Sequence, residues 1–187
     1  MSIKLSFLSV AVVSASIFAT AVVVPVSAKM MKHGDTVMVG GAAMYPSKNI
    51  VENAVHSKDH TTLVAAVKAA GLVDTLEGAG PFTVFAPTNE AFSKLPKGTV
   101  ADLVKPENKA TLTKILTYHV VPGKLEASDL TDGKTLTTVE GEQLTVKRTG
   151  GKVYIVDAKG GMSRVTIPDV NQSNGVIHVV NTVLMPS

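Results

Sequence analysis

Gly80-Pro81-Phe82-Thr83-Val84-Phe85-Ala86-Pro87-Thr88-Asn89-Glu90-Ala91-Phe92 reads as a buried strand that passes directly into a capped helix. Pro81 cannot donate to a β-ladder and suits the first position of a strand. Phe82, Val84 and Ala86 alternate with Thr83 and Phe85, which puts apolar side chains on both faces, the pattern of a strand covered from two sides. Pro87 ends the strand. Thr88 is placed to accept a hydrogen bond from the amide of Glu90 or Ala91, and the charge of Glu90 is favourable in a first helical turn.

Upstream of this segment, Pro46-Ser47 opens a helical stretch with Ile50, Val51, Ala54 and Val55 on one face. A second helix runs from about Thr61 through Leu63, Val64, Val67 and Ala70 to a stop at Gly71, with Asp59 as its expected cap. Leu72 to Leu76 and Val100 to Val104 read as short helical turns. Pro106 suits the first position of a helix whose stripe of Leu112, Ile115 and Leu116 leads into Tyr118-His119-Val120-Val121-Pro122-Gly123, where helix gives way to strand. From Thr135 the pattern becomes a β-meander: Leu136 to Val139, Gln143 to Thr149, a Gly150-Gly151 turn, then Val153 to Val156. Val165 to Ile167 is a further short strand, and Val176 to Leu184 a final one, apolar on both faces apart from His178, Asn181 and Thr182.

The 187 residues suit one domain behind a processed leader, and 45% hydrophobic content is ample for a core. Residues 1–28 have a lone Lys4, an uncharged stretch from Leu5 to Val24 and a small-residue end, Val26-Ser27-Ala28, so an export signal cleaved after Ala28 is expected. The alternative is an uncleaved membrane anchor, since that stretch is long enough to span a bilayer. Residues 29–45 read as a flexible linker containing Met30, Met31, His33, Met38 and Met44, and the domain as residues 46–187. Secretion or delivery to the periplasm or cell envelope follows. No cysteine is present, which excludes disulfides, thiolate catalysis and Cys-ligated metals. Losing Lys4 takes the formal charge from +3 to +2, too mild and scattered for a nucleic-acid footprint.

Several residue sets invite a chemical reading. Tyr118 and His119 could donate and accept protons near neutral pH, but neighbours in a strand point to opposite faces, and an imidazole among apolar residues more often satisfies buried backbone groups. His178, between Ile177 and Val179, is read the same way. His56 and His60 have the spacing of two ligands on one helical face, yet no third ligand accompanies them and they read as solvated surface histidines. The methionines near residue 30 are soft donors suited to Cu(I), against which a plain tether is the simpler reading. Asn171-Gln172-Ser173 fits a glycosylation acceptor only in a eukaryotic secretory route. No phosphate loop or nucleophile elbow occurs, so enzyme activity is not expected.

Three segments together, Gly80 to Phe92, Thr117 to Gly123 and Asn174-Gly175-Val176-Ile177-His178-Val179-Val180-Asn181-Thr182-Val183-Leu184, resemble the two conserved blocks and the intervening Tyr-His motif of the fasciclin domain. The resemblance spans about Ile50 to Pro186. It implies an α+β fold in which a wedge or sandwich of β-strands packs with a layer of α-helices, built on Phe82, Thr83, Phe85, Ala86, Pro87, Thr88, Asn89, Phe92, Asn174, Gly175 and His178. It further implies a non-enzymatic module for cell adhesion or extracellular recognition, without a cofactor and with a cell-surface or matrix protein or glycan as partner. In animal relatives two sites are implicated in integrin binding. One corresponds to Tyr118 and His119 with Leu116, Val120 and Val121; the other, an Asp and an aliphatic residue before the last block, corresponds to Pro168-Asp169-Val170. Val170 stands where Ile is commoner and Asn181 where many relatives have Asp. The single domain, simple leader and lack of cysteine resemble a bacterial member. A periplasmic protein for a small apolar ligand or copper is the alternative function.

Overall fold

The computed structural model describes residues 36–187, so the leader and Met30, Met31 and His33 lie outside the described residues. Where the sequence suggests a mobile linker through Tyr45, strands β1 (Val37–Val39) and β2 (Ala42–Met44) form an antiparallel hairpin around Gly40-Gly41. Val39 and Met44 are buried in the main core. Three residues per strand are too few to show a period in sequence, and burial of these two side chains stabilises the hairpin instead.

Helix α1 (Ile50–Ala54) begins a few residues later than Pro46-Ser47, because Asn49 caps it in a reciprocal box with Glu52. A 3-10 turn at Lys58–His60 precedes α2 (Thr61–Ala70) and α3 (Val73–Glu77). Asp59 lies inside that turn and does not cap α2. The cap comes from Asn89, whose Oδ1 accepts from the Thr62 amide at 3.0 Å and whose Nδ2 donates to the Lys58 carbonyl at 2.8 Å. Strand β3 (Phe82–Pro87) then leads to α4 (Asn89–Ser93), capped by Thr88 through the Ala91 amide at 3.2 Å.

The remaining elements are α5 (Thr99–Leu103), α6 (Lys109–Tyr118), β4 (Val120–Pro122), β5 (Thr135–Thr137), β6 (Gln143–Thr149), β7 (Lys152–Val156), β8 (Met162–Gln172) and β9 (Gly175–Val180). Seven strands form one sheet in the order β4-β3-β9-β8-β7-β6-β5. Within this sheet, among the described residues, only β3 and β9 pair in parallel. The alternation along β3 divides the interior in two. Val84 and Ala86 join Leu63, Val67, Leu116 and Ile177 beneath the helices, whereas Phe85 faces Tyr118, Leu144, Val146 and Ile155 on the meander side. The expected α+β wedge with a helical layer is what the chain forms.

Strand β8 is longer than the expected Val165 to Ile167. It continues through Pro168 by means of register shifts between Val165 and Ile167 and between Ile167 and Val170. Such irregularities release the ladder bond that a proline cannot supply.

The junction of β3 and β9 is tight. A Cβ on Gly175 would stand 2.0 Å from the Phe82 carbonyl oxygen, so the main chains approach more closely than any side chain allows. Beside it, buried Asn174 donates Nδ2 to the carbonyls of Leu76 (2.7 Å) and Gly78 (3.0 Å) and accepts the Ile50 amide on Oδ1 (3.1 Å). Its own carbonyl accepts from the Phe82 amide at 3.0 Å. One side chain thereby fixes α1 and α3 against the sheet. Asn174→Ala strands two buried backbone groups and a half-buried third and is expected to lower stability by about 3 kcal/mol, read from the urea midpoint; a midpoint equal to that of the wild type would contradict this assignment.

Candidate recognition site

Asp169 is the one non-glycine residue with positive φ (56°) among the described residues, at the irregular centre of β8. Aspartate tolerates this left-handed conformation better than most residues because its short side chain bonds locally. Here Oδ1 accepts the Ala127 amide at 2.6 Å, while the Asp169 amide donates to His178 Nδ1 at 3.3 Å. The His178 Nε2–H in turn donates to the Leu125 carbonyl at 2.8 Å, and its ring stacks on Phe85 with centroids 5.7 Å apart. Thr83 completes the arrangement, donating to the Gly123 carbonyl (2.6 Å) and accepting the Leu125 amide (2.9 Å). Buried polar groups from β3, β8 and β9 thus converge on residues 123–127 and hold that segment against the sheet.

Pro168 is exposed and Asp169 half-buried, while Val170 is only 1% exposed and belongs to the helical-side core. The outward features beside Pro168 are Arg148, Lys152 and Ala127, which with it line a surface depression of about 260 Å³. Arg148 donates to the carbonyls of Ala127 and Leu130, both at 3.3 Å, so it buttresses the same segment. Neither Arg148 nor Lys152 stands out in the sequence. Their relation to Asp169 depends on the β6–β7 hairpin folding back toward β8, which no local spacing encodes.

Tyr118, His119 and Leu116 are also buried. Tyr118 ends α6 and His119 follows as its cap, so the two are not strand neighbours as the sequence suggests. They nevertheless diverge. The Tyr118 hydroxyl donates to the Gln143 carbonyl (3.2 Å) and accepts the Ala158 amide (2.9 Å), and burial raises its pKa. His119 Nδ1–H donates to the Ile115 carbonyl (2.8 Å) and Nε2 accepts the Leu184 amide (3.0 Å). Both ring nitrogens are engaged in a neutral tautomer, and burial depresses the pKa to about 4. These side chains offer no free atom to a partner or substrate in this conformation.

His60 corrects the reading of surface histidines. It is 3% exposed, with Nδ1 2.9 Å from Ser57 Oγ, and burial lowers its pKa; His56 is exposed. The 3-10 turn between α1 and α2 removes the shared helical face on which a ligand pair depends. Among the described residues no group of three or more His, Cys, Asp or Glu could hold a metal ion. A cavity of about 80 Å³ lies between helices and sheet, lined by Leu63, Val67, Val84 and Ile177. An engineered core cavity that admits benzene measures about 150 Å³.

A family model described as the Fasciclin domain matches residues 58–186. Protein sll1483 of Synechocystis sp. is 49% identical over 159 residues, covering 85% of this chain and 85% of that protein. The cell surface glycolipoprotein MPB83 of Mycobacterium bovis is 43% identical over 115 residues, 62% of this chain and 48% of its own length. Among solved structures, the FAS1 domain pair from the insect cell adhesion molecule Fasciclin I aligns with a TM-score of 0.68 at 19% identity, a likeness of fold. That alignment covers 75% of this chain and about half, 52%, of the other.

The buried imidazoles set a pH dependence. His60, His119 and His178 all have folded pKa values below the ordinary 6.5, so the unfolded chain binds their protons first. Stability is therefore complete above about pH 6.5 and falls as pH drops toward 4, by about 3 kcal/mol from His119 alone. Urea midpoints between pH 7 and 4.5 should fall accordingly, with a shallower slope in His119→Gln; a flat wild-type profile would refute this.

Proposed function

This chain belongs to the fasciclin domain family, and from that membership we propose that it is an exported recognition module that attaches a cell-surface or matrix partner and does not transform it chemically. The observation that carries this reading is the employment of its reactive side chains. Thr83, Tyr118, His119 and His178, which could in other settings serve a reaction, spend their hydrogen-bonding capacity on backbone groups. Thr83 and His178 hold the segment 123–127, with Pro168 and Asp169 at its edge, whereas Tyr118 and His119 tie α6 to residues 143, 158 and 184.

Likeness in fold to an insect cell adhesion molecule supports adhesion, and kinship with a mycobacterial cell surface glycolipoprotein supports a position in the envelope. The leader-like residues 1–28, expected to be cleaved near Ala28, agree with export. No helix among the described residues is long and apolar enough to cross a membrane. The contact surface is the depression bordered by Pro168, Arg148, Lys152 and Ala127, the last of which donates its amide to the Asp169 carboxylate. Of the residues expected to meet a partner, Val170, Leu116, Tyr118 and His119 are buried and belong to the interior.

Asp169→Asn separates recognition from folding, because asparagine keeps an Oδ1 acceptor for Ala127 and tolerates positive φ while losing the charge. Attachment of envelope fragments or cells to the immobilised chain should fall several-fold in this variant with its melting temperature held within a few degrees. Equal attachment by both proteins would remove Asp169 from the contact.

A further inference from the structure

The meander has a second face, turned away from the core, on which charge and aromatic surface are arranged in register. Val146, Ile155 and Ser163 point inward and are buried, so their neighbours Lys147, Tyr154 and Arg164 point outward. The pairing register places these three in one row across β6, β7 and β8, Lys147 opposite Tyr154 and Tyr154 opposite Arg164. Strand spacing sets the two cations about 10 Å apart with the phenol between them. Lys152 adds a third positive charge one pleat further along, opposite Thr149. Lys147 and Lys152 are exposed, and none of the three cations takes part in an ion pair among the described residues.

Acidic side chains are missing from this face: no aspartate or glutamate occupies an outward position on β5, β6, β7 or the part of β8 up to Thr166. The protein has 15 such residues, so their exclusion leaves this face with a positive field that the modest net charge conceals. Thr145 and Thr149 supply hydroxyls beside the cations, and Val156 and the exposed Met162 add apolar surface in the row next to Tyr154. A cationic, hydroxyl-bearing sheet face with a central aromatic ring suits a polymer that carries negative charge on sugar rings. One ring lies on the apolar face of Tyr154 while its acidic substituents reach Lys147 or Arg164.

We propose that the outward face of strands β6 to β8, centred on Tyr154, is a docking surface for an acidic polysaccharide. It gives the recognition reading above a partner class but is centred on Tyr154 instead of Asp169, meeting the other surface at Lys152 on their common edge, and it stands or falls by a separate measurement. Because the cations are exposed, the attraction is screened over about 10 Å at 0.1 M salt and binding weakens as salt rises.

The test is retention of the purified chain on columns of dextran sulfate, polygalacturonate and neutral dextran across a salt gradient, with double-stranded DNA as a soluble competitor. Wild-type protein should be retained by one or both acidic polymers and pass through neutral dextran, the two acidic arms distinguishing sulfate from carboxylate. Lys147→Ser/Arg164→Ser should elute at clearly lower salt, with an affinity loss of about tenfold. Tyr154→Ala should also elute early, and Asp169→Asn should elute with the wild type. Circular dichroism melting serves as the folding control for each variant. The proposal is overturned if the wild type is not retained at low salt, if the double variant or Tyr154→Ala elutes where the wild type does, or if DNA is bound more tightly than either polysaccharide. Loss of retention in Asp169→Asn would also overturn it, by moving the contact to the other surface.

Discussion

Everything in this domain hangs on the contact between two strands distant in sequence, where Gly175 lies against Phe82 and Asn174 ties both to the helices. Parallel pairing of β3 with β9 cannot be made by a local turn, so its cost in chain entropy must be met by tertiary contacts. The missing side chain at Gly175 lets the backbones meet, and the Asn174 amide turns that meeting into a joint with α1 and α3. Once the joint forms, β3 and β9 present one face to the helices and the other to the meander, and both cores close around them.

The same economy governs the polar interior. An imidazole, phenol or hydroxyl in a dry core must find partners or destabilise the fold. In this chain those partners are backbone groups of loops that sequence alone leaves undefined: Gly123 and Leu125 for Thr83, Leu125 for His178, Ala158 for Tyr118, Leu184 for His119. Loops so held can form a rigid surface, and rigidity matters for recognition because less ordering entropy is lost on contact. Reactive residue types therefore mark the support of the surface, and the surface itself is made of ordinary ones.

Much of the architecture was legible in the sequence because it is written in local patterns. The double-faced alternation of Phe82 to Ala86, the Thr88 cap, the stop at Gly71 and the β6–β7 hairpin at Gly150-Gly151 each depend on neighbours a few residues away. Legibility ended where an element depends on distant residues. The β1–β2 hairpin is fixed by core burial of Val39 and Met44, and α2 is capped by Asn89 from 27 residues downstream of Thr62. The expected strand Val165 to Ile167 stops short of Pro168, yet β8 passes through that proline on an irregular register. The candidate site was visible only as the string Pro168-Asp169-Val170. Its position beside Arg148, and the burial of Val170, follow from the fold.

Native-state hydrogen exchange tests the central role of the β3–β9 joint most directly, since it reads the opening free energy of each amide separately. The joint, as the first and last structure of the domain, requires the amides of Val84 and His178, which face each other's strands across it, to exchange only through global unfolding and to be the slowest in the chain. Exchange of these amides by a local opening, faster than that of Val146 or Ile155 in the meander, would show that the domain is held together elsewhere and would contradict the account.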